Sequence, residues 1–176
     1  MNDHQFEEQI GLICRNEKEG LRRIYEDYNP LIYSVVLGIV HSKEDAEDVT
    51  SEFFIRLWNS AHKYRPGQGH RAWMITIAHN MSIDFLRKHS REYPVDEIPE
   101  TISAPHTQTE EQVCQKISLE QALSTLKEEE RQVVYLKIMG ELTFREIAAV
   151  MKIPAGTAAW RYQGAIRKLR RCGYDG

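Results

Sequence analysis

Two stretches of this chain combine cations with the groups that hold nucleic acid. Residues 53–91 carry seven Lys or Arg and one acid, Asp84. Between those charges stand Tyr64, Arg65, Gln68, His70, Arg71, Trp73, His79 and Asn80, with Arg87 and Lys88 following. Cations that track phosphates, beside aromatic faces on which bases stack, are the usual equipment for holding a single strand. Residues 147–174 carry six cations and no acid: Lys152, Arg161, Arg167, Lys168, Arg170 and Arg171. A third set has the opposite sign. Asp45, Asp48 and Glu52 recur at helical spacing, which describes either a solvated face or a docking surface for a basic partner. Bond-making chemistry finds no comparable support. The chain has no phosphate-binding glycine loop, no His-Glu pair at metal spacing and no nucleophile motif. His79 and His89 are ten residues apart without a paired carboxylate motif, so no metal site is expected. Cys14, Cys114 and Cys172 are odd in number and widely separated, which fits neither a zinc site nor a disulfide framework. We therefore expect no enzyme, no cofactor and no small-molecule substrate.

The elements that must present these residues are helices. Thr143 is placed to cap a short helix whose Glu146, three residues on, returns a bond to the Thr143 amide. Ile147, Ala148 and Met151 give that helix a small apolar face. Ile153-Pro154 ends it, and a second helix follows from Ala155-Gly156-Thr157 through Trp160, Ile166 and Leu169. Two short helices, a tight break and a basic second helix form the helix-turn-helix pattern, whose second helix enters a DNA major groove. Upstream, Phe6, Ile10 and Ile13 predict a first helix ending near Asn16-Glu17. A long apolar stripe from Leu21 to Ile39 follows, interrupted at Asn29-Pro30 by a kink or a cap. Ser42 opens a helix with acids in its first turn and Ala46, Val49, Phe53 and Leu57 on its buried side. Arg65 to Gly69 reads as a loop, and Trp73, Ile77, Ala78, Met81 and Phe85 mark a helix over 70–89. Residues 92–109 then lose periodicity and carry Pro94, Pro99 and Pro105 with four acids, an acidic linker. Helical signal resumes at Glu110 and again at Glu128.

The predicted fold is all-α: two small helical domains, 1–91 and 110–176, joined by a flexible linker over 92–109, the C-terminal domain a helix-turn-helix. Hydrophobic residues make up 41% and charged residues 28% of the 176, a globular composition. No apolar run reaches membrane-spanning length, and Met1-Asn2-Asp3-His4 does not open a signal peptide. A reduced, cytoplasmic protein without membrane insertion is expected. The net charge of −3 argues against coating nucleic acid unaided, since non-specific affinity comes from neutralising phosphates. Twelve acids against five cations in residues 1–52, and six acids without Lys or Arg in 92–113, separate the basic zones. The alternation implies two nucleic-acid contacts and another partner.

Four segments in order resemble the extracytoplasmic-function class of bacterial RNA polymerase sigma factors, over nearly the whole chain. They are Tyr28-Asn29-Pro30-Leu31-Ile32-Tyr33, the run Asp45 to Trp58, the run Trp73 to Lys88, and Glu146-Ile147-Ala148 with Ile153-Pro154-Ala155-Gly156-Thr157. The resemblance implies the roles that follow. Asp45, Asp48, Glu52 and Phe54 would bind the polymerase core, with Phe54 open to a core-packing reading as well. Tyr64, Arg65, Gln68 and Arg71 would capture unpaired bases of the −10 promoter element, with Asn80, Asp84, Arg87 and Lys88 beside them. Thr157, Ala158, Arg161, Gln163 and Arg167 would meet the −35 element. One departure falls in that last set. The family continues after Gly-Thr with Val, Lys and Ser, whereas this chain has Ala158-Ala159-Trp160. An alanine offers only a methyl to a thymine methyl, and Trp160 is either a core anchor or a partner contact. The implied partners are RNA polymerase core, promoter DNA including an unpaired strand, and an anti-sigma factor. The competing reading is a stand-alone helix-turn-helix regulator with an N-terminal sensor or dimerisation domain, for which the Asp45 to Trp58 segment would have no task.

Overall fold

A computed structural model describes residues 1–67, 69–92 and 119–171. Helix α1 (Asp3–Cys14) is opened by a capping box in which Asn2 and Gln5 exchange side-chain and backbone bonds. It ends where Asn16 adopts φ 63°. Helix α2 (Lys18–Val40) runs unbroken through Pro30. The cap alternative is absent because Ile24 and Tyr28 before the proline, and Ile32, Val35, Val36 and Ile39 after it, lie on one buried stripe. Each such burial is worth roughly 1.5–3 kcal/mol, which together exceed the roughly 3 kcal/mol of an interior proline. Helix α3 (Lys43–Ser60) is capped by Ser42, whose hydroxyl accepts the Asp45 amide at 3.3 Å. A 3-10 turn over Ala61–Lys63 leads to the loop before α4 (His70–Glu92). These elements enclose one core around Phe6, Ile24, Ile32, Val36, Phe53, Leu57 and Met74.

The C-terminal part contains α5 (Leu119–Ser124), α6 (Glu128–Ile138), α7 (Phe144–Met151) and α8 (Ala155–Arg171). The predicted linker, 92–109, and the helical signal from Glu110 lie outside the described residues apart from Glu92 and the start of α5 at Leu119. Thr143 makes the expected capping box: its amide donates to Glu146 Oε2 at 2.7 Å, and the Glu146 amide to its hydroxyl at 3.3 Å. Lys152 turns the chain between α7 and α8 at φ 55°. Ala122, Leu123, Leu126, Val134, Ala165 and Leu169 form a small cluster that seats α5 and α8 on α6.

A further cluster belongs to both parts of the chain. Val35 and Ile39 of α2 and Ile75 of α4 pack with Val133, Leu136, Leu142 and Ile147. The helices approach closely because glycines stand at the contact. A methyl group on Gly38 would lie 2.9 Å from Tyr135 Cδ2, and one on Gly140 would lie 2.9 Å from Ile75 Cδ1. Polar groups ring this seam. His41 Nε2 and Glu128 Oε2 are 3.0 Å apart, and Arg71 pairs with Glu141. His79 Nε2 lies 3.3 Å from Gln132 Oε1 inside the contact.

Candidate partner and nucleic-acid interfaces

Helix α3 divides its faces as its sequence predicts. Ala46, Val49, Phe53 and Leu57 are buried, and Asp48 and Glu52 are exposed with Asp45 half-buried. None of these three carboxylates has an ion-pair partner among the described residues. The acids of α2 differ in this respect: Glu19 and Glu26 are tied to Arg22 and Arg23 within one turn. The α3 stripe is thus acidic and without ion pairs, although exposed Arg56 stands four residues beyond Glu52. Phe54, left open between partner contact and core, is buried. It is 5% exposed and packs its ring against Phe53 and Tyr25. The apolar group that α3 does present is Ile55, 62% exposed, three residues beyond Glu52. The sequence held that signal, because Ile55 falls outside the Ala46, Val49, Phe53, Leu57 periodicity. Tyr25 and Trp58 line a neighbouring groove with Leu21, Asn16, Lys18 and Arg22.

Of the residues expected at an unpaired strand, Tyr64 is a correction. It is 8% exposed and presents ring edges to Phe6 and Trp73 at centroid distances of 5.2 and 5.1 Å. Burial pushes its phenol above the ordinary value, and its hydroxyl has no hydrogen-bond partner among the described residues. Arg65 is exposed, and Gln68 lies outside the described residues. Arg71 is drawn into the seam by Glu141, with its Nε buried and unpaired among the described residues. Helix α4 therefore uses three sides. Ala78, Met81 and Phe85 face the first core, and Arg71, Ile75 and His79 face the C-terminal part. Half-buried Asn80 and exposed Asp84, Arg87 and Lys88 occupy the remaining side. Asp84 and Arg87 form an ion pair at 3.4 Å.

Beneath α4 lies a constellation whose residue types could suggest catalysis. The His70 Nδ1 meets the Asp3 carboxylate and its Nε2 meets the Tyr28 hydroxyl. The hydroxyl is a poor nucleophile, because burial pushes the phenol up to about 12. It also donates to the Met1 carbonyl at 3.0 Å. His70 stacks on Phe6 and is 5% exposed. The set is a clasp binding α1, α2 and α4, and it holds the Asp3 carboxyl below its ordinary value through the His70 hydrogen bond.

On α8, the candidate reading helix, the expected set divides. Ala158 is corrected to core: it is fully buried, on the same side of α8 as Ala165 and Leu169. Arg161 is tied to Glu129 at 2.7 Å with 19% of its side chain exposed, so it is held off the outer face. Thr157 is half-buried, and Gln163 and Arg167 are exposed. Lys168 is anchored to Glu130 at 2.7 Å. Burial pushes the Glu130 carboxyl up, but the Lys168 bonds and charge outweigh it and hold it below its ordinary value. Trp160, left open between core and contact, is 66% exposed.

Comparison with known proteins accounts for both parts of this arrangement. The family model for sigma-70 region 2 matches residues 24–92, and that for sigma-70 region 4 matches residues 122–171. The extracytoplasmic-function (ECF) RNA polymerase sigma factor RpoE of Cereibacter sphaeroides is 27% identical over 157 residues, covering 88% of this chain and 87% of its own. SigW of Bacillus subtilis, of the same class, is 25% identical over 178 residues, covering 94% and 95%. Among solved structures, the sigma factor RpoE of Bartonella quintana, crystallised with the anti-sigma factor NepR, superimposes with a TM-score of 0.70 at 20% identity, over 86% of this chain and 94% of that one. CnrH, solved with the cytosolic domain of CnrY, gives 0.66 at 16% identity over 95% and 96%. With both sigma-70 regions in order on one all-α chain, and ECF sigma factors matching it nearly end to end, the chain belongs to the sigma-70 family as an RNA polymerase sigma factor of the extracytoplasmic-function class.

Proposed function

We propose that this sigma factor, which binds RNA polymerase core and directs promoter-specific initiation, docks through the acidic face of α3. Asp48 and Glu52 supply charge, Asp45 flanks them, and Ile55 supplies the apolar centre. Interfaces of this kind combine a desolvated apolar anchor with a charged rim that sets orientation and on-rate. The observation that carries the assignment is that Asp45, Asp48 and Glu52 of α3 form no ion pair among the described residues, beside the paired acids of α2. The −10 element falls to the Asn80, Asp84, Arg87, Lys88 side of α4 with Arg65 and Gln68 in the preceding loop. The −35 element falls to α8, through Thr157, Gln163 and Arg167. In this reading, residues 1–91 and 110–176 work as separate heads on the linker over 92–109. Tethering raises the effective concentration of the second head once the first is bound.

The chain acts as an initiation factor without catalysis of its own and works in the cytoplasm, where polymerase is. No helix among the described residues is long and apolar enough to cross a membrane. An anti-sigma factor is a fitting regulator, since the superimposable sigma factor RpoE was solved with the anti-sigma factor NepR. The test mixes the purified chain with polymerase core and measures promoter-dependent transcription, with D48R/E52R as the docking variant. We expect transcription from the wild type. The double variant should keep its helical circular dichroism and lose at least tenfold in core affinity. Unchanged core affinity refutes the α3 assignment. No core binding, with tight specific DNA binding by the free chain, would favour the stand-alone regulator.

A further inference from the structure

A helix that turns about 100° per residue shows one face to its own domain and the opposite one outward. The inward face of α8 is Ala158, Ala165 and Leu169. Trp160 stands opposite, and at 66% it is the most exposed large apolar residue among those described. Gly156, Gln163, Gly164, Arg167 and Arg171 share its side of the helix. Gly156 has nothing among the described residues within 4 Å of the place a side chain would occupy, so the first turn before Trp160 carries no side chain there. The next cation in sequence, Arg161, is held away at Glu129. The large apolar side chain that the N-terminal half of α8 exposes is therefore an indole, in the part of a recognition helix that meets base edges.

An indole has an apolar ring and a single N–H donor, with no acceptor. In the major groove, thymine presents both complements at once, a C5 methyl and an O4 acceptor. Cytosine presents a donor instead, and neither purine has a methyl group. Arg167 and Arg171, further along the same face, are placed for phosphates, which fix register without reading sequence.

We propose that Trp160 is a specificity-determining residue of the −35 contact, packing against a thymine methyl group. This rests on the assignment of α8 to that element. The test uses holoenzyme assembled from the full chain and polymerase core, selecting from promoter fragments with a randomised −35 hexamer. Wild type, W160S and W160A are compared after circular dichroism verifies folding, which an exposed position leaves intact. Wild type should enrich a T·A pair at one or two positions. Replacing those thymines by deoxyuridine, which lacks only the methyl, should weaken binding about threefold to tenfold. In W160S and W160A both the enrichment and the deoxyuridine effect should vanish. A hexamer preference and deoxyuridine effect unchanged in the variants overturn the role of Trp160. Loss of core affinity in the variants with promoter preference intact overturns it too, assigning the indole to a protein contact. A wild-type holoenzyme with no hexamer preference at all refutes the placement of α8 itself.

Discussion

Gly38→Ala should push two parts of the molecule in opposite directions. Gly38 lies in the last turns of α2, where alanine favours the helix by about 0.8–1 kcal/mol. Its new methyl would meet Tyr135 Cδ2, Cγ and Cδ1 at 2.9, 3.0 and 3.1 Å. The three ring carbons are nearly equidistant, so the face of the ring lies over it, and a small rotation about the ring axis only brings one edge carbon closer. Overpacking of this sort costs about 1–3 kcal/mol, here charged to the contact between α2 and α6 and not to either domain alone. At 1.4 kcal/mol per tenfold, the ratio of closed to open chains falls by about fivefold to 150-fold. Small-angle X-ray scattering reads this directly. A compact chain of this length has a radius of gyration of about 16 Å, and G38A should exceed the wild type measurably. Hydrogen exchange should in parallel show α2 protected at least as well as before, with Val133 to Leu136 less protected. A variant that scatters like the wild type, with α6 equally protected, would refute the seating of Tyr135 on α2.

Tyr64→Phe removes a buried hydroxyl without a partner, so it should leave stability unchanged or raise it by up to about 1 kcal/mol in urea unfolding; a loss of promoter opening with normal stability would return Tyr64 to the DNA contact. Burial holds His79 below its ordinary value of 6.5, helped by Lys152 and opposed by the Gln132 hydrogen bond. The unfolded chain therefore binds a proton before the folded one does. Its contribution to stability is present above about pH 6.5 and is lost as pH falls below that, levelling off once the folded-state value is passed. H79Q should flatten that segment of a stability profile measured from pH 7.5 to 5. Ile55→Glu adds charge at an exposed position, so the melting temperature should stay within about 2 °C, while core affinity measured by fluorescence anisotropy should fall at least tenfold. Equal affinity would remove Ile55 from the docking surface.

What the sequence disclosed follows the range of the interactions. The Thr143–Glu146 box, the Ser42 cap and the division of α3 into buried and acidic sides depend on residues within one or two turns, and all were legible. Phe54 and Tyr64 were not, because their burial comes from Tyr25 and Phe6, far away along the chain. Arg161 is likewise removed from the reading face by Glu129, on another helix. Trp160 was decidable in principle: once Ala158, Ala165 and Leu169 are recognised as the inward face, the indole must point away from it. The seam between the domains left no trace, since Val35 and Ile39 continue the stripe that serves the first core, and nothing in that period marks a second customer for it.

The shared cluster has a mechanical consequence. Elements named −10 and −35 are centred about 25 base pairs apart, about 85 Å at 3.4 Å each. Helices in van der Waals contact do not span that distance, so a chain that reads both elements has parted Ile75 from Leu136 and Ile147 from Val35. Those side chains then meet water, and affinity for a promoter is scaled down by the fraction of chains already parted. Polymerase would thus act on this protein as a wedge before it acts as a scaffold. The spring it works against is a handful of isoleucines, valines and leucines.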